Sequence, residues 1–260
     1  MAMLPDTPSR QVQSVKTASK IIDILQNRGG ATPTELTNQL DISNSSVHNY
    51  LATLEQEGYV VNESGRYRLG LRLLTHGMAA KNVLGSNNLI RNTIQSLADE
   101  FPYPIWWVSE EYGRGFFLDG ITPDDQTSTY GNVGKRSYLH THAPGKAILA
   151  ELTDEYIEQI ITRHGLPEQT MRTTTDSETL FEEIQSVRNR GFVVSDGEAV
   201  LGILSLGVAF WGPENRVHAI GVFGNSRDFA GTEAEEMGTR LLESVDSLES
   251  DLSEVTIDAR

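Results

Sequence analysis

Thr32-Pro33-Thr34-Glu35-Leu36-Thr37-Asn38-Gln39-Leu40, followed directly by Asp41-Ile42-Ser43-Asn44-Ser45-Ser46-Val47-His48-Asn49-Tyr50-Leu51, decides the fold of the first part of the chain. Thr32 is an N-cap, Pro33 stands at the first helical position, and Glu35 completes a capping box three residues on. Leu36 and Leu40 give this short helix its inner face. Asp41-Ile42 makes a tight turn, and Ser43 caps a further helix in which Val47, Leu51 and Leu54 face inward at i, i+4 and i+7. Two short helices across a tight turn spell a helix-turn-helix. Asn44, Ser45, His48, Asn49 and Ala52 are left outside. A merely solvated face would carry Glu and Lys, whereas Asn and Ser bond base edges and phosphates near an anion-favouring helix start. The candidate DNA contacts on this helix are Asn44, Ser45, Ser46, His48, Asn49 and Tyr50.

Working outward, Val15, Ala18, Ile22 and Leu25 predict a preceding helix over Ser14–Arg28, ended by Gly29-Gly30. After Gly58, Tyr59–Asn62 and Arg66–Leu69 read as two strands around a Glu63-Ser64-Gly65 turn. The period of two sends Tyr67 and Leu69 toward the helices and Arg66 and Arg68 outward, where arginines suit phosphate or minor-groove contact.

The formal net charge of −15 argues against nucleic acid until it is divided. Residues 1–80 carry seven Lys and Arg against seven Asp and Glu, so the acidity lies beyond residue 80. The only lysines are Lys16, Lys20, Lys81, Lys135 and Lys146. An acidic, lysine-poor chain without cysteine resembles proteins of salt-loving organisms, an archaeon among them, whose carboxylate surfaces work in strong screening. The absence of cysteine removes disulfides, thiolate chemistry and Cys-based zinc sites. No leader-like or bilayer-length apolar stretch is present, which predicts a cytoplasmic protein with no membrane partner.

Arg72–Leu84 reads as an amphipathic helix, broken at Gly85-Ser86-Asn87 and followed by Leu89–Phe101; the two form an expected linker and dimer-contact region. Beyond Pro102, strands are predicted at Ile105–Ser109, Gly115–Leu118, Arg136–Leu139, Gly191–Val194, Ile203–Phe210 and Val217–Phe223. Helices are predicted at Gly145–Leu152, Asp154–Arg163, Ser177–Arg190 and Glu233–Leu252. Helices on a largely antiparallel sheet make an α+β domain.

Several catalytic signals fail. Gly145-Lys146 is no phosphate loop, because His140 stands where its first glycine belongs and Ala147 replaces Ser or Thr. His140 and His142 lack a third metal ligand at useful spacing. Asp124-Asp125 and Glu182-Glu183 lie among many acids and read as solvated charge. No nucleophile elbow, zinc helix or dinucleotide fingerprint occurs. Neither a catalytic residue nor a metal or cofactor is therefore expected.

The order of features resembles the IclR family of transcriptional regulators. Val12-Gln13-Ser14-Val15 with Ala18, Ile22 and Leu25 is similar to its opening helix, Ser45–Glu55 with Gly58-Tyr59-Val60 to its recognition helix, and Tyr67–Leu73 to its wing end. Leu139-His140 with Gly145–Ala150, and Val187–Phe192, resemble its effector-domain signatures. The family often has arginine where this chain has Asn49. The resemblance implies a winged helix-turn-helix, a linker helix and a C-terminal GAF-like effector-binding domain. It also implies a homodimer or homotetramer on a partly palindromic double-stranded operator.

The resemblance further places an effector pocket near Ala143, Pro144, Gly145, Ser195, Asp196, Ile203, Ser205, Gly221 and Phe223, to which Trp107 adds aromatic surface for stacking on a ligand. Backbone N–H groups at the Gly145 helix start are expected to hold a carboxylate, although Pro144 offers none. Gly221 and Phe223 stand where members binding small keto-acids tend to have serines. By alternation one of Trp106 and Trp107 faces inward. The expected organisation is a tail at 1–11, a DNA-binding domain at 12–71, linker and dimerisation helices at 72–101, an effector domain at 102–252 and a tail at 253–260. The expected function is effector-controlled transcription of genes for carbon-source, aromatic-acid or sugar-acid metabolism, the effector itself being an organic acid. The alternative is a sensing or enzymatic GAF-like protein with a helical interaction module.

Overall fold

Gly29 adopts φ 65° and ends α1 (Gln13–Arg28), which opens the first of two compact units that divide between Val83 and Leu84. This computed structural model describes residues 10–85, 87–123, 130–229 and 233–258. Residues 1–9, Ser86 and the Asp124-Asp125 pair lie outside the described residues.

The capping box of α2 (Pro33–Leu40) is formed. The Glu35 N–H donates to the Thr32 hydroxyl at 3.3 Å, and the Thr32 N–H donates to Glu35 Oε2 at 2.7 Å. Asp41 turns left-handed, and Ser43 caps α3 (Asn44–Gln56) by accepting from the Ser46 N–H. Val47, Leu51 and Leu54 are buried as the spacing predicts. The inner face of α1 is phased differently from the reading above: Thr17, Ile21 and Leu25 are buried, while Val15 is exposed and Ile22 half-buried. Thr17 fits inside because its hydroxyl donates to the Gln13 carbonyl within the helix.

Two strands, β1 (Val60–Glu63) and β2 (Arg66–Leu69), pair antiparallel across a two-residue turn, Ser64-Gly65, with both φ angles positive. Such a turn matches the twist of a hairpin. Ala31 joins the edge of β2 through paired backbone bonds with Tyr67. α4 (Arg72–Asn82) follows and buries no residue.

The second unit is a six-stranded antiparallel sheet in the order β5-β4-β3-β8-β7-β6. Its strands are β3 (Ile105–Glu111), β4 (Arg114–Ile121), β5 (Arg136–Tyr138), β6 (Val193–Asp196), β7 (Ile203–Gly212) and β8 (Arg216–Asn225). α5 (Asn87–Glu100) and α9 (Glu233–Asp258) share one core with one face, including Ile94, Trp107, Phe210, Ile220 and Leu241. α6 (Ala143–Glu151), α7 (Asp154–His164) and α8 (Ser177–Arg190) share the other core, with Trp106, Phe117, Ile148, Ile157, Ile184 and Phe223. This is the α+β arrangement expected of a GAF-like domain.

Three expectations change here. α5 is not free linker, because Ile90, Ile94 and Leu97 are buried against the sheet of their own unit. α9 continues to Asp258 through the stretch read as a tail, since neither glycine nor proline follows Gly238 to stop it. Trp106 and Trp107 are both buried, because helices cover both faces of the sheet.

Candidate functional site

On α3, Asn44, Ser45, His48 and Asn49 are exposed, and Ser46 and Tyr50 are half-buried. The Ser45 and Ser46 hydroxyls are engaged with Ser43 Oγ at 2.9 and 2.8 Å, and Tyr50 leans on the core of its unit. Among the described residues, the side chains of Asn44, His48 and Asn49 carry no hydrogen bond. The i, i+4 spacing places Asn44 and His48 on one helix face, and Asn49 lies about 100° further round.

Arg66 and Arg68 do lie on the solvent side of the hairpin, but neither points out unpartnered. Arg66 turns back to donate to the Gly30 carbonyl at 2.6 Å and pairs with Glu35 at 3.3 Å. Arg68 pairs with Glu63 at 2.6 Å. The acids that cancel the arginines in the count of charges also meet them in space.

On the second unit, the expected effector residues divide between the two faces of the sheet. Ala143, Pro144, Gly145, Ser195, Ile203, Ser205, Gly221 and Phe223 belong to the α6 face, as the pairing of Ser195, Ser205 and Phe223 in register requires. Trp107 does not join them; it packs on the α5/α9 face against His218, and Trp106 is the tryptophan of the α6 face. Asp196, paired with Leu204 of the α5/α9 core, is likewise on the far side, held by Arg172 and the Ser226 hydroxyl.

The first turn of α6 cannot receive a carboxylate in this arrangement, which corrects the reading of its N–H groups. The Ala143 N–H donates to Ser205 Oγ at 3.1 Å, and the Gly145 N–H donates to His142 Nδ1 at 3.1 Å. Nδ1 being an acceptor, His142 carries its proton on Nε2, which donates to Ser137 Oγ at 2.8 Å; Ser137 donates onward to the Gly115 carbonyl. Complete burial holds His142 neutral, with its pKa pushed down to about 3. His140 is committed to the Pro167 carbonyl, and no metal-holding cluster occurs among the described residues.

A Cβ added to Gly221 would overlap the Pro144 ring. Proline at 144 and glycine at 221 are thus coupled: the ring that costs an N–H fills the place of a side chain on β8. Beyond it stands an aromatic box of Phe117, Tyr130, His142 and Phe223, with ring centroids 5.4 to 6.3 Å apart.

Sequence reasoning missed a buried ion cluster behind this site. Lys146 Nζ pairs with Glu198 at 2.6 Å and Glu183 at 2.7 Å, with the lysine side chain 4% exposed. Ser195 donates to Glu198, and Thr174 to Glu183. Glu183 is therefore not simple solvated charge. A lysine inside the apolar run Ala143–Ala150 was the available signal.

His218 is fully buried between Trp107 and Phe210, its ring nitrogens without hydrogen-bond partners among the described residues and its pKa pushed down to about 3 by burial. A histidine held neutral when folded but free to protonate near pH 6.5 when unfolded adds stability above that pH. The contribution is lost as pH falls from about 6.5 toward 3. His142 and His218 each add about 1.4 kcal/mol per pH unit to the acid slope in that window. Urea titrations from pH 7 to 4 should show a shallower slope for His218→Leu than for wild type; an identical slope would remove His218 from the account.

Residues 14–64 match the family model described as the IclR helix-turn-helix domain, and residues 106–250 match that described as Bacterial transcriptional regulator IclR C-terminal. A Halobacterium salinarum protein described as a probable HTH-type transcriptional regulator ArcR is 31% identical over 207 residues, spanning 78% of this chain and 79% of that one. The crystal structure of an IclR transcriptional regulator from Alicyclobacillus acidocaldarius superposes with a TM-score of 0.77 at 24% identity, covering 93% of this chain and 99% of that one. An IclR homologue from Microbacterium hydrocarbonoxydans, complexed with 4-hydroxybenzoate, gives a TM-score of 0.76 at 18% identity, over 93% and 98% of the two chains.

Proposed function

The chain belongs to the IclR family of transcriptional regulators, and from that premise we propose how it reads DNA and what it senses. It is a regulator with a helix-turn-helix DNA-binding domain and an effector-binding C-terminal domain. We assign DNA reading to residues 12–71. α3 enters the major groove, with Asn44, His48 and Asn49 on base edges and Ser45, Ser46 and Tyr50 on the adjoining backbone. Arg66 and Arg68 exchange their carboxylate partners for phosphates when DNA arrives. The observation carrying this reading is the set of exposed, uncommitted polar side chains at the start of α3.

The operator is partly palindromic and the protein a homodimer or homotetramer. Support comes from α4, where Leu74 is 62% and Met78 47% exposed one turn apart, below the exposed Leu71. No described helix is long and apolar enough to cross a membrane; the DNA partner is our reason for assigning the protein to the cytoplasm. The effector is an organic acid, and the controlled genes serve aromatic-acid or sugar-acid metabolism. The 4-hydroxybenzoate carried by one homologue supports that class.

Selection of full-length protein on a random duplex pool tests the reading of α3. Asn44→Ala and Asn49→Ala should each relax preference at one or two base positions by about 1 to 3 kcal/mol, whereas Arg66→Ala should weaken all duplexes alike. Unchanged preference in both asparagine variants would overturn the assignment.

A further inference from the structure

Beside the aromatic box on the α6 face of the sheet lies a lysine, Lys135. Lys135 precedes β5, half-buried in a chain of net charge −15. No carboxylate pairs with it among the described residues. Its ammonium is held instead by the Tyr130 carbonyl at 2.7 Å and the Tyr130 ring, 3.0 Å from the centroid, with the Phe117 ring at 5.7 Å.

The Tyr130 ring is itself a guest among aromatics. It stacks on Phe223 at 5.4 Å and 24°, meets Phe117 edge-on at 5.7 Å, and lies 5.7 Å from His142. A carbonyl and a π face are weak partners for an ammonium compared with a carboxylate in a site screened from water.

Resting on the reading of this domain as effector-binding, we propose that the box binds an aromatic monocarboxylate whose ring replaces that of Tyr130 against Phe223 and Phe117 and whose carboxylate pairs with Lys135. The flat wall selects a ring. With the α6 N–H groups already engaged and His142 neutral, the Lys135 ammonium is the group that receives the carboxylate; Arg114, whose charge also reaches Tyr130, is committed to the Ser137 carbonyl and the Tyr138 ring. Small keto-acids lack the apolar surface to displace the tyrosine ring, and Pro144 occupies the space beside Gly221 that a smaller site would use.

Burial holds the Lys135 ammonium down to about 8, while Tyr130 is pushed up to about 12 and His142 down to about 3. Of Lys135, Tyr130 and His142, only Lys135 titrates between pH 7 and 9.5. Carboxylate binding is strongest where the ammonium is protonated and is lost as pH rises through about 8.

The test is calorimetric titration of the full-length protein with benzoate, benzyl alcohol and pyruvate at pH 7, then with benzoate up to pH 9.5. Benzoate should bind at least tenfold more tightly than the other two and weaken at least tenfold by pH 9.5. Lys135→Met should bring benzoate down to the level of benzyl alcohol and flatten its pH dependence, with operator affinity in the absence of benzoate unchanged. Tyr130→Ala should bind benzoate more tightly than wild type. Benzyl alcohol binding as well as benzoate would overturn the proposal without recourse to any variant. So would undiminished benzoate binding by Lys135→Met, or no benzoate binding by wild type and Tyr130→Ala alike. If another organic acid releases the operator while benzoate binds nowhere, the site assignment falls and the effector-binding reading stands.

Discussion

Lys146→Met in the full-length protein is expected to destabilise the second unit by about 3 to 5 kcal/mol, the usual cost of stripping one partner from a buried ion pair. Lys146 reaches from α6 to Glu198 beyond β6, where the carboxylate side chain is only 11% exposed. Without the ammonium, Glu198 retains the Ser195 hydroxyl and a long 3.5 Å contact from the Thr174 N–H, too little for a buried negative charge. Glu183 is 36% exposed and can return to water, so its share of the loss is small. Lys146→Met combined with Glu198→Leu should recover most of the stability, because no orphaned charge remains. Urea unfolding followed by tryptophan emission measures both. A single variant within about 1 kcal/mol of wild type would mean that solvent already neutralises this cluster.

The second large effect concerns α4. Replacing Leu74 and Met78 together by glutamate should turn the proposed dimer contact into four facing carboxylates per pair of chains. Operator affinity should then drop by about a hundredfold to ten-thousandfold, the gain that linking two half-site readers provides. The fold should be untouched, because neither side chain is buried in its own unit. Light scattering gives the mass and anisotropy the affinity. Unaltered mass with unaltered affinity would show that pairing does not use this helix.

The helix-turn-helix was legible because its signals are local. The Thr32–Glu35 capping box, the Asp41 turn and the Val47–Leu51–Leu54 row each lie within one or two helical turns of sequence. What was not legible depends on partners far along the chain. Arg66 meets Gly30 and Glu35, more than thirty residues away, and so does not hang free from the hairpin. The phase of α1 turned on one threonine satisfying its own hydroxyl. On the second unit, alternation set Trp106 and Trp107 on opposite faces but gave no sign that helices cover both, which is why both tryptophans are buried and Trp107 leaves the candidate site. Lys135, Tyr130 and Phe117 converge only through the pairing of β3, β4 and β5 and carry no motif. The N–H groups of α6 looked available because Ser205, 62 residues on, gives no local sign that it fills one.

Sequence-specific DNA binding through α3 is the property on which the protein's proposed role depends. Its most direct measurement is fluorescence anisotropy of the full-length protein on a duplex recovered from a random pool, against a scrambled duplex, over a series of salt concentrations. The selected duplex should bind at least about a thousandfold more tightly than the scrambled one, with log affinity falling linearly in log salt for both. Equal binding to the two duplexes at every salt concentration, or binding to neither, would contradict it.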